Sequence, residues 1–294
     1  MPAVNGAYVW KALQDEKAIV MACNTRNPLP VPGIMKAAEE LDAVVAFELS
    51  KREIYLTNMK GLYPEGDHSL SGMTPQSYAD IVAEYARDYP ELIYFLHGDH
   101  IQIKSISTQQ LYEAQDLIAL EIEAGFTSYG IDPSFVPIPE NVAVLTFLAR
   151  PVIEHGFGLE AELGEITTEK GYTTVEESTE YISRLKDAGI DPDLLVINNG
   201  SKHGNYEPGE EVRIATDRTK EVYEATGKRI AQHGITGTPM DQIAKFADVG
   251  VLKGNVGTEW QNILLSVIPG LEDKYKKWTA ERQKALGLAK LGIE

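Results

Sequence analysis

The chain is short of the features that mark a secreted, membrane or nucleic-acid-binding protein. One cysteine, Cys23, among 294 residues rules out an internal disulfide and fits a reducing compartment. There is no stretch of about 18 consecutive apolar residues, which excludes a membrane-spanning helix. Met1 to Lys17 is mixed and polar rather than basic-then-apolar, so no signal peptide is expected and the cytoplasm is the expected location. Positive charge is scarce: 27 Lys and Arg stand against 44 Asp and Glu, for a formal net charge of −17. So acidic a surface repels phosphate backbones, which removes nucleic acid as an expected partner. An anionic substrate must then be gripped by local groups acting against the global field, such as helix N-termini or a metal ion. No GxGxxG turn follows the first strand-like segment, which argues against a dinucleotide fold.

What the chain does have is a repeated rhythm. Eight short apolar runs are separated by segments of helical periodicity: Ala18–Asn24, Ala43–Ser50, Ile93–Asp99, Phe126–Asp132, Gly158–Glu165, Leu194–Ser201, Arg229–Gly234 and Gly250–Val256. Near-continuous apolar strands suit a parallel sheet covered on both faces. The intervening segments Gly33–Asp42, Thr74–Tyr89, Thr108–Ala124, Asn141–His155, Thr174–Ala188 and Glu210–Thr226 read as helices. Thr74 before Pro75 is an expected N-terminal cap, and Gly189 an expected helix stop. Strict alternation predicts an α/β fold of the (β/α)8 TIM-barrel kind, a closed parallel eight-stranded sheet. One domain over residues 1–294 is expected, with a long βα connection at about 51–75 and a C-terminal helical extension at about 271–294.

Polar residues gather at one end of these strands. Asn24, Ser50, Asp99, His100, Asp132, Glu162, Asn198, Asn199, His203, His233 and Asn255 all fall at or just past a predicted C-terminal strand end. In barrels that face carries the active site. Three of the six histidines, His100, His203 and His233, follow strand ends in the settings HGDH, KHG and QHG. Three neutral imidazoles with an open fourth position form a common catalytic zinc arrangement. His97 shares a strand face with Asp99 and is expected to be a packed, hydrogen-bonded support.

The ordered motifs HGDH (97–100), GFTSYGIDPS (125–134), LEAELGEI (159–166), NGSKHG (199–204), QHGITGTP (232–239) and KGNVGT (253–258) resemble the class II, metal-dependent fructose-bisphosphate aldolases. The similarity runs from about Asn24 to Gln261. It implies a (β/α)8 barrel with His100, His203 and His233 as metal ligands and Glu162 beside them as support or alternate ligand. It implies that Asp99 handles the proton on the aldehyde-derived oxygen. It also implies a zinc cofactor, with other divalent metals and an accompanying monovalent cation as further candidates, and a homodimer or homotetramer. Asn255 and Thr258 are implied substrate and phosphate contacts, and Asn24 and Ser50 further substrate contacts.

The residue types suit that chemistry. Cleaving a carbon–carbon bond beside a ketone develops negative charge on two adjacent oxygens, which a divalent metal stabilises as a Lewis acid. A carboxylate such as Asp99 can take the C4 hydroxyl proton; the alternative is an Asp99 that only orients an imidazole. A second acid/base is expected on the loop EITTEKGYTT (165–174). Glu169 is the candidate, although Thr167-Thr168 stands where the family has Gly-Gly and Lys170 where a second acid often occurs; a solvated loop charge is the alternative. For phosphate, HGITGTP is expected to run into a helix near Pro239 with free N–H groups, Gly234 allowing close approach and Thr236 supplying a hydroxyl. Gly200, Ser201 and Gly204 are expected to join this cup.

Two departures from the family pattern bear on the substrate, expected to be a small phosphorylated sugar. Gly257 stands where many members have Asp or Ala, which removes a sugar-hydroxyl contact. Lys51 and Arg52 follow Ser50 where small residues are usual, either as second-phosphate ligands or as surface charges. The activity implied is reversible cleavage of a ketose 1,6-bisphosphate, fructose or tagatose, to dihydroxyacetone phosphate and glyceraldehyde 3-phosphate. Three rivals remain: a metal-dependent hydrolase or isomerase, a Schiff-base aldolase using Lys253, where the lysine could equally be a buried, paired core charge, and a non-catalytic phosphate-binding barrel.

Overall fold

The computed structural model describes residues 3–54, 73–164, 171–206, 212 and 214–286. Its strands are β1 (Val20–Asn24), β2 (Val45–Ser50), β3 (Tyr94–Gln102), β4 (Ser128–Asp132), β5 (Gly158–Glu162), β6 (Leu194–Val196), β7 (Arg229–Gln232) and β8 (Val251–Val256). They pair in parallel in sequence order, and β8 returns to β1 with Ala22 opposite Asn255, closing the expected barrel. The helices are α1 (Gly6–Ala12), α2 (Val31–Glu40), α3 (Pro75–Tyr85), α4 (Thr108–Glu123), α5 (Ile138–Leu148), α6 (Arg150–Glu154), α7 (Val175–Asp187), α8 (Thr216–Thr226), α9 (Met240–Ile243), α10 (Thr258–Val267) and α11 (Leu271–Leu286). Among the described residues no helix is long and apolar enough to cross a membrane.

Local chemistry sets several boundaries. Thr74 accepts from the Ser77 backbone N–H, with Pro75 in the first turn, as its sequence predicts. Thr174 caps α7 through Glu177 in a reciprocal pair of bonds; a cap of either kind is worth about 1 kcal/mol. Gly189 takes the left-handed conformation, φ 78°, after α7. The helix expected over Asn141–His155 is two: α5 ends at Leu148, and α6 restarts with Pro151 in its first turn. Proline has no N–H to continue the α5 ladder. Of the helix expected over Glu210–Thr226, α8 forms Thr216–Thr226, while residues 210, 211 and 213 lie outside the described residues; β6 ends five residues before Ser201. Asn198 there leaves the sheet, its backbone N–H donating to Thr173 Oγ1 at 2.9 Å.

Two apolar cores result. The larger lies between the sheet and its helices, around Phe47, Leu96, Leu117, Tyr129, Leu145 and Leu195. The smaller fills the barrel, where Val20, Ala22, Ala46, Phe95, Leu194, Val196 and Ala231 meet Val9 and Trp10 of α1. Trp10 is fully buried and meets Phe95 edge-on at 5.1 Å. Helix α1, which periodicity did not reveal, thus packs on the inward side chains at the N-terminal end of the strands. Residues two apart on a strand share a face, so each inward residue at the opposite mouth stands one layer above another inward residue.

Candidate metal and active site

At the C-terminal mouth a cavity of about 170 Å³ is lined by Asn24, Ser50, Asp99, His100, His203, Gly204, His233, Gly234, Thr236, Asn255, Gly257 and Thr258. All twelve are residues that the sequence singles out. Arg26, Glu48, Arg52, Glu53 and Gln102 line it as well. Glu169 lies outside the described residues.

The histidines are positioned by three different devices. His100 has φ 45°, a left-handed backbone rare for a residue with a side chain, and the β3–β4 register shifts between Gly98 and Ile101. This bulge turns His100 so that it and its neighbour Asp99 both face the cavity. His233 follows β7, and Gly234, at φ 66°, brings the chain against the Lys202 carbonyl, where any Cβ would collide. His203 sits in the loop after β6, exposed at the cavity edge.

His100 and His233 meet closely: Nε2 of His100 lies 2.6 Å from Nδ1 of His233. His203 is a flank rather than an equal third. Its ring centroid is 5.1 Å from that of His100 and 6.4 Å from that of His233. Donor atoms of Asp99, His100 and His233 converge within 4.8 Å of one another, as do those of His100, Asp132 and Glu162.

Protonation can be deduced from the partners. The Glu160 carboxylate only accepts, so His233 carries its hydrogen on Nε2, 2.9 Å from Glu160 Oε1, and presents a lone pair on Nδ1. Nδ1 of His100 lies 3.1 Å from Glu162 Oε1, and both are buried without a well-aligned hydrogen bond. With Glu162 ionised, a neutral His100 must aim a lone pair either at the His233 lone pair or at the Glu162 carboxylate. Added positive charge relieves both contacts, and burial with the Asp132 charge pushes the Glu162 carboxyl itself up to about 8. In the polypeptide itself a proton does so: burial opposes it, but Glu162 and Asp99 hold His100 well above the usual histidine range. A divalent cation would relieve the same excess of donors, and imidazole with carboxylate suits zinc.

Beneath the histidines lies an ionic layer, in which Lys253 is a buried, paired charge and Glu48 and Glu160 are members that the sequence does not single out. Lys253, fully buried, donates to Glu160 Oε2 at 2.8 Å and to His97 Nε2 at 2.8 Å, with Glu48 at 3.3 Å and Asp99 at 3.6 Å. Burial alone would lower its pKa, but Glu160, Glu48 and Asp99 hold it above the ordinary lysine value. An ammonium so engaged has no lone pair for attack on a carbonyl, which counts against the Schiff-base alternative. His97 accepts from Lys253, so its Nδ1 hydrogen goes to Ser128 Oγ at 2.9 Å, and Ser128 Oγ also accepts from Trp10 Nε1 at 3.0 Å. His97 is the buried support its strand position predicts.

Asp99 Oδ1 accepts from Asn255 Nδ2 at 2.8 Å. Burial pushes the Asp99 carboxyl up, but His100, Lys253 and His233 outweigh it and hold it below the usual carboxylate value. The group is therefore an ionised carboxylate beside the paired histidines.

The expected phosphate cup is corrected at Gly200 and Ser201. Gly200 spends its N–H on Asn198 Oδ1 at 3.1 Å, and the Ser201 hydroxyl is buried away from the cavity lining. The helix expected near Pro239 is present as α9, a single turn. The longer helix at this rim is α10, which begins at Thr258 and whose Glu259 N–H donates to Thr236 Oγ1 at 3.2 Å. Lys51 is not a free surface charge, as it pairs with Glu113 at 2.8 Å. Arg52 is exposed and borders the cavity.

The family model "Fructose-bisphosphate aldolase class-II" matches residues 4–291. A Bacillus subtilis protein named "Probable fructose-bisphosphate aldolase" is 28% identical over 269 residues, spanning 89% of this chain and 83% of that one. A sulfofructosephosphate aldolase of Alkalicoccus urumqiensis is 25% identical over 264 residues, with 88% and 82% covered. The crystal structure of the fructose-bisphosphate aldolase of Campylobacter jejuni superposes with a TM-score of 0.65 at 21% identity, covering 87% of this chain and 77% of that one.

Proposed function

The chain belongs to the class II fructose-bisphosphate aldolase family, and from that premise we propose that it is a zinc-dependent aldolase. In this reading it reversibly cleaves a ketose 1,6-bisphosphate, first of all fructose 1,6-bisphosphate, to dihydroxyacetone phosphate and glyceraldehyde 3-phosphate. The observation that carries the proposal is the facing pair His100 and His233, whose excess of nitrogen donors stands beside the ionised Asp99. His100 and His233 would hold the cation, with His203 or Glu162 completing the set. When bound, it supplies Lewis acidity to the substrate's carbonyl and adjacent hydroxyl oxygens.

The protein's own groups account for the remaining steps. Asp99 takes the C4 hydroxyl proton, the C3–C4 bond breaks, and C4 becomes the aldehyde carbon. The electron pair stays on C3, conjugated with the C2 carbonyl. Asn255 holds Asp99 in place by its 2.8 Å hydrogen bond. Gly204, Gly234, Thr236 and Thr258 line the side of the cavity where the C1 phosphate would rest, and Gly257 faces Asn24 and Arg26. Glu169 would return a proton to C3.

Related aldolases act on different aldehyde halves, as the sulfofructosephosphate enzyme's name records, so the substrate is the point to test. A panel of phosphorylated ketoses, assayed for dihydroxyacetone phosphate release with and without a chelator, is the direct experiment. Release from fructose 1,6-bisphosphate, lost with chelator and restored by zinc, is expected. No release from any ketose phosphate would sink the aldolase proposal. A cytoplasmic, homo-oligomeric enzyme of glycolysis or gluconeogenesis is the cellular form that goes with this proposal, and the buried thiol of Cys23 fits a reducing compartment.

A further inference from the structure

We infer that Arg26, admitted to the cavity by the missing side chain at Gly257, binds an anionic group at the aldehyde end of the substrate. The inference rests on the aldolase proposal for the identity of that substrate, but not for the anion site itself.

Arg26 lies two residues beyond β1. Its Nε donates to Glu53 Oε1 at 2.6 Å, and its Nη1 reaches Gln261 Oε1 at 3.4 Å. Nη2 has no hydrogen-bond partner among the described residues, and Arg26 lines the cavity. A Cβ at position 257 would stand 3.3 Å from Nη2 and 3.4 Å from Asn24 Cβ. Any side chain beyond that Cβ would contest the space the guanidinium uses. The vacancy at Gly257 and the cation at Arg26 are thus two halves of one arrangement.

Glu53 makes the guanidinium a fixed rather than a swinging group. It is almost fully buried, and its other oxygen accepts from Asn24 Nδ2 at 2.8 Å and from the Ser50 backbone N–H at 2.9 Å. One carboxylate therefore aligns Asn24, Ser50 and Arg26 along the same edge of the cavity. A guanidinium held by its Nε edge loses little freedom when a further acceptor arrives. Arg52, which follows β2, adds a second cation to this edge. The other acids facing this part of the cavity, Glu48 and Asp99, already face Lys253.

Barrel order supplies the direction. The glycine-rich turns after β6 and β7 lie on one side of β8, and Arg26 and Arg52 after β1 and β2 lie on the other. A ketose with its C1 phosphate among the glycine turns would cross the histidine pair and send its far end toward Arg26. The ligand class is a terminal oxyanion, whether phosphate, sulfonate or carboxylate.

The test compares zinc-loaded wild type with Arg26→Met, Arg26→Lys and Gly257→Asp on ketose 1,6-bisphosphate and on ketose 1-phosphate. Arg26→Met is expected to lower kcat/KM for the bisphosphate by roughly 10- to 100-fold, the scale of a charged hydrogen bond. The 1-phosphate should lose no more than about 3-fold, and Arg26→Lys should recover part of the difference. Gly257→Asp should produce the same selective loss with Arg26 still in place, because its carboxylate would neutralise the guanidinium. Substrates ending in sulfonate or carboxylate, run beside the bisphosphate, identify the natural terminus as the one most sensitive to Arg26→Met. Equal losses on both substrates would make Arg26 a mere clamp for Glu53 and overturn the inference, as would an unchanged ratio. Equilibrium dialysis with inorganic phosphate decides the matter even if wild type cleaves no ketose. Wild type should bind one equivalent more than Arg26→Met, and identical stoichiometry would refute the site.

Discussion

Oε1 of Glu160 accepts the Nε2 hydrogen of His233 at 2.9 Å, so a buried carboxylate orients an imidazole that faces the cavity. Such a partner fixes the ring and raises its basicity toward a metal. Glu160→Gln keeps the shape but can turn a donor toward His233. Zinc affinity, measured by competition with a chromogenic chelator, should fall by about 10- to 100-fold. Unchanged affinity would mean that His233 is not a ligand.

The unequal placement of the three histidines predicts unequal losses. His100→Ala and His233→Ala should abolish stoichiometric zinc binding, whereas the exposed His203→Ala should weaken it without abolishing it. In thermal melts, zinc at about 100 times its Kd should stabilise wild type by about 2.7 kcal/mol. The two inner variants should show no such shift. Equal effects from all three would show that His203 swings fully into the site.

Asp99→Asn separates chemistry from architecture. Asparagine still accepts from Asn255 but cannot take the C4 hydroxyl proton, so turnover should fall by about 10²- to 10⁴-fold. Zinc content by elemental analysis should be unaltered. Loss of the metal instead would assign Asp99 to the ligand set.

Lys253→Met removes the only cation among the described residues that touches Glu48, Asp99 and Glu160 together. Breaking a buried ion cluster from one side typically costs about 3–5 kcal/mol, and chemical denaturation should register a loss of that order. Wild type treated with borohydride and substrate should gain no adduct mass at Lys253. A trapped adduct would restore the Schiff-base route.

The barrel was legible because its eight strands are short apolar runs, and the mouth because Asp99, His100, His233 and Asn255 each fall where such a run ends. The ionic layer below was legible only at Lys253, readable as a buried, paired charge, and at His97, because Glu48, Glu160 and Lys253 sit inside runs whose apolar neighbours dominate. A signal for them existed. Each stands two residues before a polar strand-end residue (Ser50, Glu162 and Asn255), as His97 stands before Asp99, and a strand's period of two places such pairs on one face. Helix α1 was missed because seven residues are too few to display a helical period. The helix break before Pro151 was readable from proline's missing N–H. His203 was grouped with the other histidines because strand-end position says nothing of how far a loop carries a side chain.

Helix α1 has a reach beyond its own packing. From Trp10 the contacts run through Ser128, His97, Lys253 and Glu160 to His233, each 2.8 to 3.0 Å. The height of the cavity-facing imidazole is thereby measured from the opposite end of the barrel, like a piston seated on its rod. The centre of that rod is an ammonium, which can only give hydrogens, so it imposes a tautomer on His97 below and leaves Glu160 with an oxygen for His233 above. Loosening the floor should therefore be felt first as a wandering of the His233 imidazole, before any strand parts.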